Sequence, residues 1–297
     1  MKAALAFVAA LALAAPAAAQ ELSLTGEGPV EILADDAIEW RRDDQTVIAR
    51  GNARATRGAT TVYADRLIAR YRSREGAPPP GASPTGAGEI WRLEAEGNVR
   101  IVGGNDRAEA DRAVYDLDRR VLVLTGRALS LTNGADRVTA RDVLEYWAET
   151  RMAVARGDAV VTSEDRRLEA DTVVAYFLEE GAAAGVRPAA PGPRGANRLD
   201  RAEAFGNVRI TTASEVVRGE RGVYTPGDGL ARVFGNVRIT RGQNQLNGAY
   251  GEVNMKTGVS RLLPAPGGRV AGMIVPEDRR PPAPAALPPP PAPAPRR

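Results

Sequence analysis

The nine residues Leu93-Glu94-Ala95-Glu96-Gly97-Asn98-Val99-Arg100-Ile101 decide how the whole chain reads. They return nearly unchanged as Ala202-Glu203-Ala204-Phe205-Gly206-Asn207-Val208-Arg209-Ile210 and as Ala231-Arg232-Val233-Phe234-Gly235-Asn236-Val237-Arg238-Ile239. Weaker copies start at Val47, Val123 and Val154, which makes six. Their glycines stand at 51, 97, 126, 157, 206 and 235, so the gaps are 46, 29, 31, 49 and 29 residues. The two long gaps each hold a Gly/Pro/Ala-rich insertion, 74–88 and 181–197. With these set aside, the period is close to 30 throughout. Such self-similarity marks a repeat architecture, in which neighbouring units bury one another's apolar face.

Parity supplies the strand phase. Leu93, Ala95, Val99 and Ile101 share one face, while Arg92, Glu94, Glu96, Asn98 and Arg100 share the other. A period of two with one apolar face is the pattern of a half-buried strand. The charged stretch 108–118 could be read as a helix, but both neighbouring segments alternate and no cap precedes it. A glycine at a fixed strand position suggests a bulge or a close backbone approach. Repeated six times, it also marks register, because a slip of one residue would expose the whole apolar face. Each unit has a second element, an Ala-Asp or similar pair followed by an aromatic: Ala64-Asp65 with Tyr71, Ala110-Asp111 with Tyr115, Ala140-Arg141-Asp142 with Tyr146, Ala170-Asp171 with Tyr176, and the looser Gly219-Glu220 with Tyr224. The unit is therefore two strands with turns between them, and the chain is expected to be all-β.

The two ends differ from the repeat. Lys2, the apolar run from Ala3 and the small residues up to Ala19 read as a secretory signal peptide, 1–19, cut between Ala19 and Gln20. The run is shorter than the roughly 20 apolar residues needed to span a bilayer. The repeats then fill 20–275, and 276–297 is a Pro-rich tail with too little apolar content to fold.

Composition excludes much chemistry. The 297 residues contain no cysteine and no histidine. Disulfides, the usual zinc, haem and iron–sulfur sites, Cys nucleophiles and His-based triads are thereby ruled out. No cofactor, metal or catalytic residue is expected. Paired carboxylates, as in glycoside cleavage, stay open in principle. The recurring acids Asp111, Asp142 and Asp171 are instead expected at turns facing water. Net charge is +3, and the positive charge is almost all arginine, Lys2 and Lys256 being the only lysines. No arginine cluster stands apart in sequence as a nucleic-acid footprint.

The order of elements resembles a known family. Pro29-Val30-Glu31-Ile32-Leu33-Ala34-Asp35-Asp36, the Gly51-Asn52 strand and 58–65 look like the start of the LptA/OstA proteins, which carry lipopolysaccharide across the periplasm. Gly268-Arg269-Val270 with Ile274-Val275-Pro276 is similar to that family's closing strand. The resemblance implies an open, twisted β-jellyroll or β-solenoid whose groove holds lipid A acyl chains. It also implies head-to-tail stacking through edge strands, with LptC-like partners at the inner membrane and LptD-like partners at the outer one. This chain is longer than the short members of the family, so it is either one long module or two in tandem, divided near 148–156.

The residues themselves nominate a groove lining. Val30, Ile32, Val47, Ala53, Val62, Leu93, Val99, Ile101, Leu129, Val160, Val208, Ile210, Val233, Val237 and Ile239 are the candidates. Ala49, Ala55, Ala95, Ala128, Ala204 and Ala231 are expected beside them. So small a lining leaves room for acyl chains, where a self-filled barrel would use larger side chains. A tightly packed sandwich core is the competing reading. An envelope scaffold that joins partners by edge-strand addition is the competing function.

Overall fold

The computed structural model describes residues 30–73, 88–134, 136–163, 166–178, 199–254, 256–257, 259–273 and 275. The expected signal peptide, the bulk of both insertions, the tail and the two flanking prolines, Pro29 and Pro276, lie outside the described residues. Gly88, placed in the first insertion by composition, is the first residue of a strand.

The described residues form eighteen strands. They are β1 (Glu31–Leu33), β2 (Ala37–Arg41), β3 (Thr46–Arg57), β4 (Thr60–Ser73), β5 (Gly88–Gly103), β6 (Asp106–Asp116), β7 (Val121–Thr125), β8 (Leu129–Asn133) and β9 (Asp136–Ala140). There follow β10 (Val143–Trp147), β11 (Met152–Ser163), β12 (Arg166–Phe177), β13 (Leu199–Thr211), β14 (Val216–Thr225), β15 (Leu230–Arg241), β16 (Asn244–Asn254), β17 (Val259–Leu263) and β18 (Ala271–Met273). The expected all-β class holds, and 108–116 is strand. Every pairing is antiparallel, and the long strands follow one another as a meander. The short strands work as pairs of half-strands. β1 and β2 share β3, β7 and β8 share β6, and β17 and β18 share β16. The ladder also passes unbroken through 148–156, since β10 pairs with β11 across that turn.

The Gly-Asn pairs are bulges. Register shifts fall between Arg50 and Ala53, Glu96 and Val99, Arg156 and Ala159, Phe205 and Val208, and Phe234 and Val237. Gly97 has φ +77° and Asn98 φ +47°. That left-handed pair is tolerated by glycine and asparagine and disfavoured for most other residues. Parity survives the bulge, for Ala95 and Val99 are both buried. At Gly126 the strand breaks altogether into β7 and β8. There the phase shifts by one, so Ala128 points outward and Leu129 inward.

The Ala-Asp motif is the other half of the same device. The alanine is the inward partner across the bend, as in Ala53 opposite Ala64, Val99 opposite Ala110, and Ala159 opposite Ala170. Glycine takes the place in the last repeats, with Val208 opposite Gly219 and Val237 opposite Gly248. Small residues are needed where the sheet folds onto itself. The acid that follows sits over the bulge glycine of the next strand. An added Cβ on Gly97, Gly126, Gly157 or Gly206 would overlap Asp65, Asp111, Asp142 or Asp171 respectively. Asp65, Asp111 and Asp171 are therefore in mid-strand rather than at turns, while Asp142 lies in the bend between β9 and β10, and all four face water.

Inward rows cross the whole sheet. One runs through Ala49, Leu67, Ala95, Ala113, Leu124, Leu144, Ala155, Val173 and Ala204. The other half-sheet contributes Val62, Ile101, Ala108, Leu131, Val138, Val161, Leu168, Ile210, Val217 and Ile239. Most of these residues join one apolar cluster.

The outward row behind the first of these has a rhythm of its own. Glu39, Ile48, Ile68, Glu94, Val114, Val123, Glu145, Val154, Val174, Glu203, Val223, Arg232 and Glu252 are successive cross-strand neighbours, so a glutamate falls on every third strand line. Each is held by arginine: Glu39 by Arg50 at 2.7 Å, Glu145 by Arg156 at 3.1 Å, Glu203 by Arg221 at 2.7 Å, and Glu252 by Arg232 at 3.1 Å. Glu94 is held by Arg70 at 2.7 Å, Arg92 at 3.1 Å, and Arg112.

Candidate functional site

The two half-sheets enclose a shared apolar interior. At the N-terminal end they leave a cavity of about 190 Å³. One wall is Val47, Ala49, Leu67, Ala69, Leu93, Ala95, Ala113, Tyr115 and Leu122, from the first halves of β3 and β5, the second halves of β4 and β6, and β7. The other is Ile32, Ala55, Val62 and Ile101, from β1, the second halves of β3 and β5 and the first half of β4. Val30, Arg57, Ile68, Ile90, Glu94 and Leu117 also line it. Val30 is 43% exposed, so the cavity opens toward the first strand edge.

Six of the fifteen nominated residues line this cavity: Val30, Ile32, Val47, Val62, Leu93 and Ile101. Eight others, Ala53, Val99, Leu129, Val208, Ile210, Val233, Val237 and Ile239, are buried to 3% exposure or less, away from the mouth. In the C-terminal repeats the inward side chains of the two halves are buried in the same apolar cluster. Burial of side chains such as Ile210 and Val237 contributes roughly 1.5–3 kcal/mol each. The fifteenth candidate, Val160, is a correction. It pairs with Thr139 and Glu169 on the outward face, while Ala159 and Val161 point inward. In the repeat alignment Ala159, not Val160, matches Val99. The larger apolar side chain was misleading, and the parity was sound.

Sequence reading missed Leu67, Ala69, Ala113, Leu117 and Leu122 as lining residues. Leu67, Ala69 and Ala113 come from the second strand of a unit, Leu122 from the half-strand after it and Leu117 from the turn between. Parity from the inward alanines Ala64 and Ala110 points to positions 66 and 112, but the phase shifts by one opposite the bulge, so Leu67 and Ala113 face inward instead.

The polar groups around the bulges are committed to structure. Asn207 donates to both oxygens of Asp171 at 3.0 Å, and the Arg127 amide donates to Asp111 at 2.9 Å. Asp142 accepts from Arg141 at 2.8 Å, and that arginine holds its carboxyl below the usual range. No three acids converge as a metal site among the described residues.

Known proteins place this arrangement. A family model described as LptA/(LptD N-terminal domain) LPS transport protein matches twice, at 31–150 and at 141–259. A relative in Rhizobium meliloti (strain 1021), itself uncharacterised, is 27% identical over 126 residues, which is 42% of this chain. The chain spans 64% of that relative's length. Among solved structures, LptH, the LptA-homologous periplasmic component of the lipopolysaccharide transport device of Pseudomonas aeruginosa, is similar at 17% identity. The alignment covers 48% of this chain and 95% of LptH with a TM-score of 0.37. The family rests on the two model matches, which together run from 31 to 259: the chain belongs to the LptA/LptD N-terminal-domain family of lipopolysaccharide transport proteins.

Proposed function

We propose that the protein is a periplasmic carrier that takes lipid A acyl chains into the apolar mouth at its N-terminal end and passes lipopolysaccharide along the edges of the sheet. The cavity carries this reading. Its walls are mostly aliphatic, joined by Tyr115, Arg57 and Glu94, and it lies between the two half-sheets near the first strand edge. Binding there is non-covalent: the driving force is removal of acyl methylenes from water, about 0.8 kcal/mol for each one buried. The family match supplies the class of cargo. LptC-like and LptD-like edges are the proposed partners at the two membranes, with stacking of copies between them.

A fluorescent acyl probe bound by the purified protein tests the proposal. Lipopolysaccharide is expected to displace the probe in a saturable way. Failure of the probe to bind, or of lipopolysaccharide to displace it, rejects the carrier.

One observation favours a second reading, an envelope scaffold working by strand addition. Both edges of the sheet expose apolar side chains, Leu33 and Ile38 at the start, Val259, Leu263 and Met273 at the end. Open edges accept further strands. The scaffold predicts edge-dependent assembly with no probe displacement.

A further inference from the structure

Arg209, Arg218 and Arg238 lie side by side on three adjacent strands. Arg209 pairs with Arg218 across β13 and β14, and Arg218 with Arg238 across β14 and β15. All three are exposed on the outward face. Like charges directly opposite one another destabilise a sheet. Around Glu94, by contrast, three arginines are matched with a carboxylate. Here only Arg209 meets one, Glu169 at 3.7 Å, which Arg167 already holds at 2.8 Å. Arg218 and Arg238 have no ion pair among the described residues.

The repeat provides an internal comparison. In the N-terminal copy the same four strand positions read Arg54, Tyr63, Arg100 and Glu109. There Arg100 stacks over the Tyr63 ring at 4.3 Å and stands opposite Glu109. In the C-terminal copy they read Arg209, Arg218, Arg238 and Asn247. Tyrosine has become arginine and glutamate has become asparagine, and both changes add positive charge. At these four positions the N-terminal copy separates its two arginines with a tyrosine ring and ends on a carboxylate, whereas the C-terminal copy sets three arginines side by side and ends on an amide.

We infer that Arg209, Arg218 and Arg238 form a recognition ladder for a phosphate-bearing group on the outer wall of the C-terminal repeats. Directly opposite side chains have Cβ atoms about 5 Å apart, so neighbouring guanidinium forks converge on one phosphate or on two linked ones. Thr211 and Thr240, two residues further along β13 and β15, flank the ladder with hydroxyls. The inference goes beyond the acyl-chain reading and does not depend on it, since ladder and mouth lie on opposite faces and in different repeats.

Titration calorimetry of the full chain with pyrophosphate, and with a soluble phosphorylated disaccharide, tests it. Both are expected to bind. Arg218→Tyr restores the N-terminal arrangement, which the fold already accepts, and is expected to weaken binding about tenfold or more, one charge-assisted contact's worth. Arg238→Gln, at an exposed position, should do the same, and Arg100→Gln should not. Unchanged affinity in both ladder variants overturns the inference. Equal binding of chloride at matched ionic strength, or binding only to phosphatidylglycerol vesicles and to neither soluble probe, overturns it as well.

Discussion

Asn98 donates through Nδ2 to both carboxylate oxygens of Asp65, at 3.1 and 2.9 Å, across 33 residues of chain. The pair closes over Gly97, whose added Cβ would overlap that carboxylate. Gly97→Ala is therefore expected to cost about 1–2 kcal/mol for the left-handed backbone, plus the cost of displacing Asp65. In an Asp65→Ala background only the backbone part should remain. Denaturant unfolding of the two single variants and the double measures this. An identical loss in both backgrounds would show that the carboxylate does not crowd the bulge.

Glu94 gives a pH prediction. Burial pushes its carboxyl up, but hydrogen bonds from Arg70 and Arg112 and the charge of Arg92 outweigh that, and the net shift is downward. Its side chain is 4% exposed, while the three arginines are 32–43% exposed and partly screened by solvent. A depressed folded value stabilises the protein above the ordinary glutamate range, near pH 4.3, and that stability is lost as pH falls through the folded value. Glu94→Gln should cost roughly 1–3 kcal/mol at pH 7. It should also flatten the loss of stability below about pH 4. A variant with an unchanged acid limb contradicts the assignment.

Facing is tested at two neighbouring residues. Val161→Asp places a charge in the apolar cluster and should cost roughly 3 kcal/mol or more. Val160→Asp, on the outward face, should cost about 1 kcal/mol. Thermal unfolding ranks them, and the reverse order would mean that the bulge at Gly157 inverts β11.

The buried cluster and the exposed mouth should respond differently to truncation. Ile210→Ala is expected to cost roughly 2–5 kcal/mol, because the packed repeats cannot collapse into the space. Val30→Ala, at the mouth, should stay within about 0.5 kcal/mol. Similar losses at both sites would mean that the mouth is packed as tightly as the rest.

Much of this was legible in the residues, and the reasons differ from place to place. The Gly-Asn bulge and the alternation on either side of it read directly, because parity is preserved between Ala95 and Val99. The recurring aspartates were visible, but Asp111 and Asp171 were misplaced at turns, since their partners are the glycines of the next strand, 15 and 35 residues away. Val160 was misassigned because a larger apolar side chain outweighed its parity. Where the interior opens could not be read at all. The same Ala, Val and Ile pattern lines the cavity beside Val62 and the buried cluster around Val237. The arginine ladder was equally hidden, for 209, 218 and 238 are scattered in sequence and meet only through register.

Site-specific photo-crosslinking to lipopolysaccharide tests the central claim most directly. A photoreactive residue at Val30, Ile32 or Val47 should capture the lipid, and one at Val160 should not. Capture at Val160 with none at the three mouth positions would contradict the account.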